Sequence, residues 1–258
     1  MAPLEPHRPQ NYQTDAETGQ CHNRSTPVHP DVKERRALAQ GGDPVAQFNL
    51  GLALDEGVGT AADPVEAAEW YRRAAEQGQA NAQLNLGVLY YEGRGVARNV
   101  TLAAEWYRRA ADQGLADAQS NLGILYSKGE GVRKDPVAAA RLYRTAAEQG
   151  NDTAQYLLAL AYERGVGVSS DPSEAARFYT MAAEKGHGGA QQSLALLYWK
   201  GRGTRRDRRA AIRWALSAVR NPVIARHAKR QMARDAAWVV AILMLAWLLV
   251  RSGIFQSR

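Results

Sequence analysis

Five glycine pairs, Gly57/Gly59, Gly93/Gly95, Gly129/Gly131, Gly165/Gly167 and Gly201/Gly203, have the Gly-x-Gly spacing with which a loop can approach a phosphate. That chemistry needs a strand before the glycines and a helix after them. Here each pair closes an apolar stripe of helical period, so the glycines read as helix terminators. His187 and His227 have no His or carboxylate at ligand spacing. Cys21 is the single cysteine, which excludes a disulfide framework and a multi-thiolate zinc site. Gly-x-Ser-x-Gly, Ser-x-x-Lys and His-Glu-x-x-His are absent. The glycosylation patterns at Asn23, Asn99 and Asn151 have meaning only in a secretory lumen, and residues 1–30 carry no apolar signal segment. The reading is therefore a chain that is not an enzyme, with no catalytic group, no metal site and no cofactor.

What remains is recognition. Asn49, Asn85 and Asn121 recur at one position of successive helices. An asparagine there can bond the backbone of a bound segment through both its donor and its acceptor, or it can tether its own helix end. Trp70, Trp106, Phe178 and Trp214 share another position, with Leu142 between them. Beside a tyrosine on a second helix, that position reads as core between helix layers.

The elements that position these residues repeat. Gly42, Gly78, Gly114, Gly150 and Gly186 are spaced by 36 residues, and Ala46, Ala82, Ala118, Ala154 and Ala190 keep the same register, as do Gln47, Gln83, Gln119, Gln155 and Gln191. Each unit reads as two helices. Ala82, Leu86, Leu89 and Tyr90 form the stripe of a first helix, and Ala103, Ala104, Tyr107, Ala110 and Ala111 that of a second. Between them Asp63, Asn99, Asp135, Asp171 or Asp207 stands where a helix needs an N-cap, followed by Pro64, Pro136 or Pro172 in three units. One such hairpin cannot bury its own apolar faces, so neighbours must stack.

Residues 81–114, NAQLNLGVLYYEGRGVARNVTLAAEWYRRAADQG, resemble the consensus of the Sel-one-like repeat, an α/α relative of the tetratricopeptide repeat. The resemblance covers 42–220. It implies an all-α, α/α superhelical solenoid of five repeats at 42–77, 78–113, 114–149, 150–185 and 186–220. It also implies that first helices line a concave face, and that the function belongs among protein–protein scaffolds in signalling, secretion, cell-envelope regulation or endoplasmic-reticulum quality control. Ala159 and Ala195 depart from the pattern where Gly51, Gly87 and Gly123 stand.

The ends differ from the body. Residues 1–30 are polar and proline-rich and read as a disordered arm, and 31–41 as an N-terminal half-cap helix. Charge is segregated: residues 1–199 hold 19 Lys+Arg against 24 Asp+Glu, whereas 200–234 hold 12 Lys+Arg and only Asp207. Beyond lies the uncharged run 236–250, AAWVVAILMLAWLLV. Its 15 residues rise only ~22 Å as a helix, and extension to residue 255 brings this to ~30 Å, the thickness of a hydrocarbon core. We read 221–235 as a basic juxtamembrane helix and 236–255 as a transmembrane tail anchor. A buried helix would instead need a polar stripe, which the run lacks. The positive-inside rule then puts the repeats in the cytoplasm, and a bacterial inner membrane is the expected site. The collar of Arg205, Arg206, Arg208, Arg209, Arg226, Lys229, Arg230 and Arg234 is expected to meet anionic lipid rather than nucleic acid. The expected function is a membrane-anchored adaptor for an unidentified protein partner. The alternative is an inhibitor or immunity-type regulator of one enzyme or toxin at the membrane.

Overall fold

The computed structural model describes residues 32–220, which form α-helices joined by short loops. The expected arm 1–30, the basic segment 221–235, the anchor 236–255 and the collar residues Arg226, Lys229, Arg230 and Arg234 lie outside the described residues. Among those described, no helix is long and apolar enough to cross a membrane.

The helices are α1 (Val32–Gln40), α2 (Pro44–Glu56), α3 (Pro64–Glu76), α4 (Ala80–Glu92), α5 (Val100–Asp112), α6 (Ala116–Lys128), α7 (Pro136–Glu148), α8 (Asp152–Arg164), α9 (Pro172–Glu184), α10 (Gly188–Lys200) and α11 (Arg208–Arg220). They fall into two compact units that meet in sequence at Asp171 and Pro172. In the first unit each helix from α1 to α7 packs on the next along the chain. In the second, α10 packs against both α9 and α11.

Local chemistry sets the helix ends. Asp63 Oδ1 accepts hydrogen bonds from the backbone N–H of Val65 (3.1 Å) and Glu66 (3.0 Å), and Asn99 Oδ1 accepts from Leu102 N–H (3.0 Å). Asp135 accepts from Ala138 N–H and Asp207 from Ala210 N–H in the same way. Each answers a donor that a helix start leaves without a partner. The cap residue's own N–H returns to the last turn of the preceding helix: Asp63 to Leu54 O (2.8 Å), Asn99 to Tyr90 O (2.8 Å) and Asp135 to Tyr126 O (2.9 Å). The loop between paired helices is thereby closed at both ends.

The second glycine of the Gly-x-Gly pair has a reason beyond turning the chain. Gly95 has φ +71°, and a Cβ there would collide with the carbonyl of Pro64 at the start of α3. Gly131 stands in the same relation to Val100, and Gly167 to Pro136. Each loop thus rests on the second helix of the preceding repeat, and only glycine leaves room.

The core is continuous across repeats of the first unit. Leu50 and Leu54 of α2 share one buried cluster with Tyr71 of α3 and with Ala82, Leu86 and Leu89 of α4. Leu84 and Val88, on the other side of α4, join Tyr107 of α5 and Leu122 and Leu125 of α6. Burying each leucine contributes roughly 1.5–3 kcal/mol. Because α4 gives one side to the repeat before it and the other to the repeat after it, each repeat lends the next part of its stability.

Candidate interaction surface

The asparagines do not form one uniform row. Asn49 of α2 is exposed. Asn85 of α4 and Asn121 of α6 are only 9% and 5% exposed. Asn85 approaches the phenol of Tyr71, whose pKa is pushed well up by burial first and by the Asp55 charge second; the amide acts against that rise. Tyr71 Oη makes no hydrogen bond. Tyr107 Oη and Asn121 Nδ2 also lack partners. A segment lying along the first helices would therefore meet the Asn49 side chain directly, and Asn85 and Asn121 only at the floor.

A set of residues that sequence reasoning used only as repeat markers does structural work. Gln47, Gln83, Gln119, Gln155 and Gln191 are buried. Each donates its side-chain amide to a carbonyl eight residues earlier: Gln47 to Ala39 (3.3 Å), Gln83 to Ala75 (3.0 Å), Gln119 to Ala111 (3.3 Å), Gln155 to Ala147 (3.1 Å) and Gln191 to Ala183 (3.2 Å). Those carbonyls belong to the last turn of the preceding helix; each accepts one backbone N–H, from Gly42, Gly78, Gly114, Gly150 or Gly186, and the glutamine adds a second donor. The oxygens of three of these glutamines accept in turn from Gln77, Gln113 and Gln149. The recurrence of Gln was visible in the sequence; its partners were not, because they sit on another helix.

The rim around the first helices is polar and varied. Arg94, between Gly93 and Gly95, makes a bidentate pair with Asp55 of the preceding repeat at 2.6 and 3.1 Å. One repeat later the relation changes: Glu130 occupies the loop position and accepts from Tyr91 Oη at 3.2 Å. Such substitutions at one geometric site give each repeat a different edge while the frame stays constant.

The aromatic position behaves as core. Trp70 is buried, its Nε1 donates to Glu66 (3.1 Å), and the Arg73 guanidinium covers its ring at 4.5 Å. Trp106 packs against the cluster of α2–α4 under Arg109, and Phe178 is buried beneath Arg177. Of the basic collar, Arg205, Arg206, Arg208 and Arg209 are exposed, and the Arg208 guanidinium lies 5.6 Å from the Trp199 ring centroid. Among the described residues no group of three His, Cys, Asp or Glu is placed to hold a metal ion.

Comparison with known proteins places this arrangement. The Sel1 repeat family matches residues 44–79, 80–115, 116–151, 152–187 and 189–222. A protective antigen present in uropathogenic Escherichia coli strains, with an SLR fold, is 36% identical with a TM-score of 0.71; the match covers 74% of this chain and 41% of that one, so this chain spans well under half of that relative. A Sel1 repeat protein from Oxalobacter formigenes is 40% identical with a TM-score of 0.67, over 70% of this chain and 72% of that one. A further protein, from Klebsiella pneumoniae, shares the fold at 19% identity and a TM-score of 0.51, over 78% of this chain and 97% of that one. The search of curated proteins finds no match. The five-fold register, the paired helices and these likenesses agree: the chain belongs to the Sel1 repeat family.

Proposed function

We propose that the chain is a protein–protein interaction scaffold, not an enzyme, that holds an extended or helical segment of a partner protein along its first helices. The observation that supports this best is the contrast between frame and rim. Buried glutamines, caps and tyrosines recur almost unchanged, while the side chains at the rim of the first helices differ from repeat to repeat, as Arg94–Asp55 and Tyr91–Glu130 do. A rigid scaffold with a varied edge suits reading a partner's sequence. Asn49 is the asparagine accessible to such a segment. Asn85 and Asn121 form the floor beneath it. In this reading the tail 236–255 holds the scaffold at a membrane with the repeats on the cytoplasmic side. The collar of Arg205, Arg206, Arg208, Arg209, Arg226, Lys229, Arg230 and Arg234 then faces anionic lipid, each contributing about 1 kcal/mol near the surface.

A photo-reactive amino acid at position 49, compared with one at Glu69 on the second helix of the same repeat, tests the groove. Cross-linking of a discrete protein from position 49 and not from 69 is expected; equal yields from both would remove the groove reading. Alkaline extraction of membranes tests the anchor separately: the full chain is expected to stay in the pellet, and its release would remove the anchor.

A further inference from the structure

We propose that the face of α10 and α11 that a following repeat would cover is a lipid-contact surface, seated on an anionic bilayer. This rests on the membrane reading above and adds a surface of the folded repeats to it.

The face is defined by register. In the first unit, Leu84 and Val88 of α4 are buried by the next repeat, and so is Ala111 at the end of α5. The residues 108 positions on from each are Gln192 and Leu196 of α10 and Val219 of α11. Gln192 is exposed, Leu196 is 47% exposed and Val219 is 51% exposed. Leu216 and Trp199 add 46% and 39%. Tyr71, Tyr107, Tyr143 and Tyr179 are buried, but the same position in α11 is an exposed alanine, Ala215. Leu196 and Val219 thus stand open where their equivalents in the first unit are buried; Leu216 and Trp199, three residues from them on the same helices, add apolar surface at positions held in the first unit by residues such as Arg108 and Tyr91.

The sequence that follows does not keep the core pattern of a repeat. In the same register, the core positions held by Ala190 and Leu194 become Arg226 and Arg230, and an unpaired guanidinium does not enter an apolar core. A second copy of the chain is disfavoured by charge. Residues 200–220 hold eight Lys+Arg against the single acid Asp207, so two such faces would bring like charge together. An anionic lipid surface meets both requirements. It accepts apolar side chains to the depth of the headgroup–acyl boundary, where tryptophan is favoured, and it attracts the arginines that flank the face. Those arginines are exposed in the loop before α11 (Arg202, Arg205, Arg206) and at its two ends (Arg208, Arg209, Arg220). The uncharged run 236–250 begins 16 residues after Arg220, close enough to enter the same leaflet.

The test uses the full chain with Cys21→Ser, carrying a spin label at Leu196→Cys, at Val219→Cys or, as control, at Glu184→Cys, reconstituted with phosphatidylglycerol–phosphatidylcholine vesicles. Circular dichroism checks that each variant keeps its helix content, and vesicle flotation checks attachment. At positions 196 and 219, collision with a charged nickel complex is expected to fall at least about fivefold on vesicle binding, because hydrocarbon excludes the complex, while collision with oxygen rises. Position 184 should change little. If the chain floats but positions 196 and 219 stay open to the nickel complex, the face sits in water and the inference is overturned while the anchor stands. If they are closed to both reagents, protein covers the face, either the chain's own tail or a second copy, and the inference is again overturned. If the chain does not float, the membrane reading falls as well.

Discussion

The Gln77 side-chain amide donates to Gln47 Oε1 at 2.8 Å across 30 residues of chain, joining the end of α3 to the start of α2. Gln47 in turn reaches back to Ala39 O of α1, so one polar link spans three helices. The pattern recurs as Gln113–Gln83–Ala75 and Gln149–Gln119–Ala111. It stops at Gln155 and Gln191, whose side-chain oxygens have no partner among the described residues. The sequence shows why the pattern changes at Gln155: the residue 36 positions after Gln149 is Lys185.

This difference predicts unequal costs along an otherwise uniform array. Gln119→Leu removes two buried hydrogen bonds, to the Ala111 carbonyl and from the Gln149 amide, and should destabilise the protein by about 1–3 kcal/mol. Gln155→Leu removes one hydrogen bond, to the Ala147 carbonyl, which keeps its bond from Gly150 N–H, and should cost clearly less. Urea unfolding followed by circular dichroism gives the order, and equal losses would mean that the Gln–Gln link contributes nothing.

Gly87 and Tyr107 form a matched pair. A Cβ on Gly87 would lie 2.6 Å from the Tyr107 ring, and Gly51–Tyr71 and Gly123–Tyr143 repeat the fit. Gly87→Ala should therefore cost about 1–3 kcal/mol by overpacking. Combined with Tyr107→Leu the two changes should be non-additive, the alanine costing little once the ring has gone. In the same register the fourth repeat has Ala159 with Tyr179 and the last has Ala195 with Ala215. A double-mutant cycle measured by chemical denaturation decides; simple additivity would show that the ring has room to move.

The asparagines should separate into two kinds. Asn49→Ala should leave stability within about 0.5 kcal/mol, as an exposed change does, and weaken capture of a cross-linked partner. Asn85→Ala empties buried space beside Tyr71, and Asn121→Ala empties buried space on α6; both should lower the melting temperature. Thermal melts of the three single variants check this. An equal fall for Asn49→Ala would make it a frame residue too.

Asp207 predicts a pH dependence at the start of α11. The Ala210 N–H bond first, then the Arg209 N–H bond and the charges of Arg213 and Arg209, hold its carboxyl below the ordinary value. A lowered folded-state pKa means that its stabilisation is complete above the unfolded value of about 3.9 and is lost as pH falls through the lower folded value. The amide resonances of Arg209 and Ala210 should titrate with a midpoint below about 3.9, and Asp207→Asn should abolish that step. A midpoint at or above the ordinary value would contradict the cap.

The helix-pair frame was legible because it depends on local chemistry repeated in register. A cap acid before Pro64, a terminating glycine after Glu92 and a stripe of Ala, Leu and Tyr each act within a few residues, and five copies at one spacing leave little ambiguity about stacking. The second glycine of each loop, the partners of the buried glutamines and the burial of Asn85 and Asn121 were decided only in the tertiary structure, for one physical reason. Each depends on atoms of another helix, 8 to 31 residues away, Gly95 on Pro64, Gln83 on Ala75, Gln77 on Gln47 and Asn85 on Tyr71, and a contact between helices leaves no mark in the spacing of either one alone. The same holds for the open face of α10 and α11. Leu196 and Val219 read in sequence like any other core residue of a repeat, and only the absence of a neighbouring helix among the described residues makes them surface.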